Sequence, residues 1–490
     1  MNDLGRLLSS VCGVAILACT LSAGPTVAQG DGISAALVER TAQTNFPEFL
    51  GTLALPNDGK PLVFAQFGGH VPNAKTVLFY IHFDGQPVIP EQWAQKSPWI
   101  AALKQRNASG RWEEIDRNRL LTGEIDPDWR LFGRSTSDDK GPIMMLLTAF
   151  DVMKAAGLEP AINVKVLLDS EEEKGSPRIG DVAAAHRALL RADGIVINDG
   201  PMHESNQPTV VFGNRGNALV RLTVYGARSN LHSGHYGNYA PNPAQRLSTL
   251  LAGMKDDDGR VTVAGYYDGV KLSEADRKVL AEVPDDEVAI RKRLGIAKAE
   301  SVGKNYQEAL QYPSLNVRGM AAAAIGEKAA NIIPSQAVAE LDLRTTPGAD
   351  PAYLISAIER HIRSKGYHLT MGEPTDDERA KYDRIASLVS SRDGASPAAI
   401  TPLDSPLGTW AQTALEKTHG SGGQPARTVR IRMMGGSVPT DKLVDALATP
   451  FVLIPLVNND NNQHSFDENL RIGHFFDGTR AFIGLVRTPL

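Results

Sequence analysis

The sequence predicts an α/β protein with a second, α+β unit inserted into it. Three observations carry this. Short apolar runs at 77–81, 164–168, 195–197 and 451–456 alternate with helical patterns such as 142–156. The middle of the chain changes to period-two alternation, with NALVRLTVY at 217–225 and AVAELDL at 337–343. The length of 490 residues also exceeds what one ordinary core fills.

Taken in order, the N-terminus comes first. Arg6 precedes Leu7-Leu8 and the apolar or small stretch 11–21, and Thr26-Val27-Ala28 offers small residues for cleavage. This order is that of a secretory signal over 1–28, removed after Ala28. The run is short and interrupted by serines, unlike a spanning helix. A lipid-anchored form with Cys19 as the modified residue is the alternative, with Leu17 making its preceding box imperfect. The expectation is an exported protein, periplasmic or secreted. The chain has 2 cysteines, Cys12 and Cys19, both in this segment. The mature chain then has no thiol, which excludes disulfides, thiolate catalysis and cysteine metal sites.

The first unit is assigned 36–210 and 383–490. Strands at 77–81 and 195–197 read as continuously apolar, and 164–168 as apolar apart from Lys165, as strands covered on both faces do. Between the first two, Pro142 suits the first turn of a helix over 142–156. Strand–helix alternation of this kind builds a sheet covered by helices. The inserted unit is placed at 211–382. Its alternating strands at 217–225 and 337–343 are each followed by a helical pattern, at 243–254 and 351–364. The charged stretch 273–304 reads as a surface helix or loop insertion. The chain is 42% hydrophobic, so most of it folds, and its net charge of -5 gives no electrostatic case for nucleic acid or an anionic membrane.

Polar residues follow the buried runs. His82 and Asp84 come after 77–81 and, two apart, point the same way. Asp169, Glu171, Glu172 and Glu173 come after 164–168, and Asp199 after 195–197. His464 ends the loop after 451–456, and Asp138-Asp139 stands just before the 142–156 helix. In open α/β sheets ligands bind beyond the carboxyl ends of the strands. Singly, each has a plainer reading: a satisfied core histidine, a solvated helix start, a helix cap or a turn. Together, several carboxylates and two imidazoles need a cation, because unpaired carboxylates do not share a dry site. Nitrogen and oxygen donors without sulfur suit zinc, manganese or cobalt, and the size of the set suits two metals with a bridging carboxylate.

These residues sit in motifs. His-x-Asp-x-x-Pro at 82–87, Gly-Arg-x-x-Ser-Asp-Asp-Lys-Gly at 133–141 (with Thr136 in an x position) and Glu-Glu-Glu-x-Gly-Ser at 171–176 occur in that order. They are joined by Leu231-His232-Ser233-Gly234, Asn331-Ile332-Ile333-Pro334, Asp342-Leu343-Arg344, Gly435-Gly436-Ser437-Val438-Pro439, and His464 with Glu468-Asn469. The set resembles the dinuclear zinc metallopeptidases that include carnosinases, other dipeptidases, aminoacylases, glutamate carboxypeptidases and acetylornithine deacetylase. The resemblance runs from about residue 36 to the C-terminus.

The resemblance implies a zinc-exopeptidase-like α/β/α sandwich with an inserted ferredoxin-like lid and dimerisation domain. It implies two divalent ions per chain, zinc first, with manganese or cobalt as alternatives. His82, Asp138 and Asp199 hold one, and Asp138, Glu173 and His464 the other. Asp84 orients His82. Glu172 is the general base. His232 stabilises the oxyanion across a homodimer interface formed by the lid. Asn331, Arg344, Gly436 and Ser437 bind substrate, with Asn331 and Arg344 holding the substrate's C-terminal carboxylate, Arg344 bidentately. The chain departs from the family pattern at Ser170, where a glycine is usual, and at Met433-Met434, where Arg-Glu is usual. Phe83 and Gly85 also differ.

The implied activity is amide hydrolysis of dipeptides or short peptides, of dipeptidase or carboxypeptidase type. An N-acyl-amino-acid amidohydrolase is the alternative, since Arg344 serves both. A non-catalytic binding protein on this scaffold is disfavoured because every metal position and Glu172 is occupied.

Overall fold

The computed structural model describes residues 52–55, 60, 62–67, 71–122, 125–390, 395–420, 426–436, 438 and 440–490. The signal segment 1–28 and Ser437 lie outside the described residues. The chain divides into two compact units. One comprises the chain up to Gly213, Thr401–Arg432 and Val438–Leu490; the other comprises Asn214–Ile400 and Met433–Ser437. The inserted unit therefore runs past residue 382, the boundary read from the sequence. The reason is that Ile385–Ser390 is a strand of the inserted unit's own sheet, and Asn217 exchanges backbone hydrogen bonds with Ser396.

The first unit is built on an eight-stranded sheet. Its strands are β1 (Thr52–Leu55), β2 (Leu62–Phe67), β3 (Thr76–His82), β4 (Asn163–Asp169), β5 (Gly194–Ile197), β6 (Thr209–Val211), β7 (Val429–Ile431) and β8 (Phe451–Leu453). Their order is β1-β2-β4-β3-β5-β8-β6-β7. The central four, β4, β3, β5 and β8, run parallel, so their carboxyl ends share one edge. In register, His82 stands opposite Asp169, which brings the ends of β3 and β4 level. β8 stops at Leu453 rather than continuing to 456. Ile454 still donates to Ile197 O at 2.8 Å, but Pro455 has no N–H to extend the ladder.

β3 is apolar throughout because both of its faces are covered. Val77, Phe79 and Ile81 join the main core, while Leu78 and Tyr80, also buried, face the other way by the period of two. That core is closed by α1 (Lys140–Ala155), α2 (Pro406–His419) and α3 (Ile472–Arg487). Two glycines of α3 set its approach to the other helices. A Cβ at Gly478 would lie 2.3 Å from Met145 Sδ, and one at Gly484 would lie 2.8 Å from Ala414 O. A smaller sheet orders Asn469–Arg471, Arg130–Phe132, Ala102–Arg106 and Trp112–Glu114, and so brings the C-terminal segment beside residues 133–138.

The inserted unit has a five-stranded sheet in the order Ser314–Ala321, Gln336–Thr345, Gly216–Tyr225, Ile385–Ser390, His368–Thr370. Its first four strands and the helices Pro243–Ala252 and Pro351–Ser364 follow one another as βαββαβ, the ferredoxin-like arrangement with one added edge strand. The helices bury Leu250, Leu354 and Ile358 against Leu222, Val224 and Leu341. The charged stretch 273–304 contains two helices, Glu274–Glu282 and Glu287–Leu294, the first closed by a Ser273–Asp276 capping box. Among the described residues, no helix is long and apolar enough to cross a membrane.

One core residue makes a pH prediction. His474, in α3, is 1% exposed, and neither ring nitrogen has a hydrogen-bond partner among the described residues. Burial, aided by Arg471, holds its pKa down to about 4 against an ordinary 6.5. The unfolded chain takes up the proton first as pH falls, so the folded state loses stability from pH 6.5 downward to about 4. Relative to His474→Leu, the wild type should lose about 2 kcal/mol between about pH 7 and pH 5. Urea unfolding of both proteins across that range checks this, and parallel pH profiles contradict it.

Candidate metal centre

The edge where β3, β4, β5 and β8 end gathers the polar residues. His82 is the last residue of β3 and is fully buried. Its Nε2 lies 2.9 Å from Asp138 Oδ1, and its Nδ1 lies 3.2 Å from Asp84 Oδ1. His464, more than half exposed, stands with Nε2 3.1 Å from Asp138 Oδ2 and 3.3 Å from Glu173 Oε2. Donor atoms of His82, Asp138 and Asp199 all lie within 4.8 Å of one another, as do those of Asp138, Glu173 and His464. Asp138 belongs to both sets, and Glu172 belongs to neither.

The backbone that presents these groups is tightly specified. Asp138 precedes α1, joined to Asp139 by a cis peptide. Asp139 does not cap the helix with its side chain; its Oδ2 instead accepts from His82 N at 3.4 Å. Glu468, fully buried, holds the 134–138 segment. It accepts backbone N–H bonds from Ser135 and Ser137 at 2.9 Å and from Asp138 at 3.0 Å, and an Arg134 Nη1 bond at 2.7 Å. Glu172 and Glu173 lie in a 3-10 turn, Glu172–Lys174, whose N–H groups at 172 and 173 donate to the two oxygens of Asp84, each at 3.2 Å. Asp84 thus orients the ring of His82 and fixes the glutamate turn at once. Gln86 Nε2 donates to Glu173 Oε2 at 2.7 Å, and Lys442 Nζ to Gly175 O at 2.7 Å.

The electrostatics are those of a crowded acid cluster. Burial pushes Glu172 up to about 9, with Asp199 adding to it. Burial and the Asp138 charge push Glu173 up to about 7. Burial also raises Asp199, with His82 opposing and Asp138 adding. Asp138 goes the other way: burial is outweighed by His464 and His82, which hold its carboxyl below the usual range. His82 is raised despite burial, by Asp138 and Asp84. The other oxygen of Asp138, Oδ2, faces His464 Nε2 at 3.1 Å and is buried without a hydrogen bond among the described residues. Carboxylates forced toward protonation, a buried acceptor oxygen and imidazole nitrogens facing one space fit cations. The donors are nitrogen and oxygen only, which suits zinc, manganese or cobalt.

The remaining expected residues lie in the inserted unit. His232 pairs in a short ladder with Ile332, next to Asn331, whose carbonyl accepts from Ser233 N at 2.9 Å. The His232 ring is exposed, packs 4.5 Å from His235, and accepts from Gly234 N through Nδ1 at 3.0 Å. Arg344 stands opposite Asn217 in the sheet, its Nε 3.6 Å from Asp342 Oδ2. Gly436 is described and exposed, and Ser437 falls outside the described residues. Met433 is fully buried, so the place of the expected arginine is a packing position. A Cβ at Gly85 would lie 2.2 Å from Ser135 Oγ, so a larger residue there requires the Ser135 hydroxyl to move.

Sequence reasoning missed the work of Glu468 and Arg134, although both stand inside quoted motifs. It also missed Gln86 and Lys442. No local signal marks these, because each acts on a segment distant in sequence.

Comparison with known proteins agrees with this fold. Residues 212–370 match the M20 peptidase dimerisation domain. Over the whole chain, the fold is that of the M20 dinuclear metallopeptidases: the M20 metallo-carboxypeptidase of Sulfolobus solfataricus superposes with a TM-score of 0.71 at 23% identity, over 99% of both chains. Human carnosine dipeptidase superposes at 0.66 and 20% identity, over 99% of this chain and 98% of that one. The chain is a homologue of two kinds of dipeptidase. The Cys-Gly metallodipeptidase of Schizosaccharomyces pombe is 24% identical over 435 residues, 86% of this chain and 81% of that protein. The human Beta-Ala-His dipeptidase is 24% identical over 428 residues, 86% and 76% of the two. The family resemblance read from the motifs is met.

Removing Glu468 leaves Arg134 and three backbone N–H groups buried without their acceptor. Glu468→Ala should cost about 3–5 kcal/mol of stability in chelator-treated protein. It should also weaken metal binding about 10–100-fold, whereas Glu468→Gln, which keeps an acceptor oxygen, should lose less. Urea unfolding and competition with a metal-binding dye measure the two effects. Wild-type values for Glu468→Ala in both would exclude the clamp.

Proposed function

We propose that this chain is a dinuclear metallopeptidase that hydrolyses the amide bond of dipeptides. The observation that carries this reading is the pair of ligand sets sharing Asp138, with a raised Glu172 beside both and in neither. The relatives support the substrate class, being a Cys-Gly and a Beta-Ala-His dipeptidase by name. His82, Asp138 and Asp199 would hold one ion, and Asp138, Glu173 and His464 the other. Zinc fits the donors. Such ions, when bound, supply Lewis acidity to the scissile carbonyl and make water acidic near neutral pH.

The chain's own residues supply the rest. Glu172 takes the proton of the attacking water on its carboxylate and hands it to the leaving amine nitrogen. Asp84 accepts from His82 Nδ1–H, which fixes the tautomer that leaves Nε2 free to ligate. His232 accepts a backbone N–H at Nδ1, so the neutral ring carries its proton on exposed Nε2, as a donor to a tetrahedral oxyanion must. That role is assigned across a homodimer, which the match of 212–370 to a dimerisation domain supports. Arg344 pairs with the substrate carboxylate, with Asn331, Gly436 and Ser437 as further contacts. Export to the periplasm or outside the cell rests on the 1–28 segment alone.

Glu172 separates chemistry from metal binding. Glu172→Ala should keep two divalent ions per chain by elemental analysis yet lose about 10²–10⁴-fold in kcat on dipeptides. EDTA should abolish wild-type turnover, and added zinc should restore it. Near-normal turnover of Glu172→Ala, or activity that survives full metal removal, contradicts the reading.

A further inference from the structure

The motif read from the sequence as Glu-Glu-Glu-x-Gly-Ser ends in a serine that neither the ligand sets nor the base accounts for. Ser176 is 2% exposed. It follows Gly175 at φ 77 and itself has φ 41, so two successive left-handed residues reverse the chain here. Ser176 Oγ donates to Asp169 Oδ2, across a loop that contains Glu172 and Glu173. Asp169 is the last residue of β4 and is 1% exposed. Its Oδ1 accepts from Glu171 N at 3.0 Å, and its Oδ2 also accepts from Tyr80 OH at 2.9 Å. Tyr80 lies within β3, among the largest fully buried side chains.

One buried carboxylate therefore ties both ends of the 171–176 turn to β3 and β4. Asp84 grips the middle of the same turn through the N–H groups of Glu172 and Glu173. A base on a turn is only as well placed as the turn, and a misplacement of about 1 Å costs about 10²-fold in rate.

We infer that Asp169, Ser176 and Tyr80 form a positioning latch that sets the carboxylates of Glu172 and Glu173 from behind. The inference rests on the reading of Glu172 as base and Glu173 as a ligand. Because Glu173 belongs to one ligand set only, the latch acts on one of the two metals. This is an effect that a general loss of stability does not produce.

Ser176→Gly is the decisive variant, since glycine accepts the left-handed backbone and removes only the hydroxymethyl group. In zinc competition titrations it should show one site weakened about 10–100-fold and the other within about threefold of wild type. Its kcat on a dipeptide should fall about 30–100-fold with KM within about threefold. Tyr80→Phe keeps the core volume and should lower kcat about 3–10-fold in the same pattern; it decides the matter if Ser176→Gly does not fold. Both metals bound with wild-type affinity and kcat within twofold in the folded variants overturn the latch alone. A wild type that binds fewer than two metals overturns the dinuclear reading, and the latch with it.

Discussion

The constraint that shapes the first unit's site is the mutual repulsion of crowded carboxylates, which the fold must hold together. Asp138, Asp139, Asp199, Glu172 and Glu173 crowd the carboxyl edge of four parallel strands, around two imidazoles. Burial alone raises most of them, and each charge raises its neighbours. Without cations such a cluster holds protons; with cations the same groups become ligands. The fold keeps this unstable arrangement together through the surrounding core, and the chemistry of the site follows from that.

What prevents the cluster from relaxing is a second ring of charge and hydrogen bonds. Glu468 draws the 134–138 segment together with four donors. Asp84 binds His82 and the glutamate turn simultaneously. Asp169 closes that turn against β3 and β4. Each is a carboxylate that accepts N–H or O–H groups; Glu468 and Asp169 are buried and Asp84 partly so. The left-handed backbone at Ser135, Ser176, His464 and Asp467 falls in the same region. Such backbone is uncommon for non-glycine residues and clusters at functional sites.

Much of this was legible because strands and helices write themselves locally. The apolar runs marked β3, β4 and β5, and residues just beyond them were the polar groups of the site. The period-two stretches likewise marked the inserted sheet. β8 was read three residues too long because Ile454 to Leu456 are apolar and buried but lie past the ladder, with Pro455 among them. The inserted unit ends later than residue 382 because strand Ile385–Ser390 joins the sheet by pairing with Gly216–Tyr225, 160 or more positions away, which no local pattern reveals. Grouping His464 with Asp138 and Glu173 came from motif resemblance, since His464 is on a loop and not a strand end. Glu468 was read as part of a motif and not as a clamp, because its partners lie more than 300 residues away.

The central claim is that this cluster is a two-metal site with Asp138 between the ions. Anomalous diffraction from crystals grown with zinc, recorded above and below the zinc edge, tests it most directly. Two peaks are expected, one bounded by His82, Asp138 and Asp199 and the other by Asp138, Glu173 and His464. A single peak, or peaks that leave Asp138 outside the coordination of either ion, would contradict it.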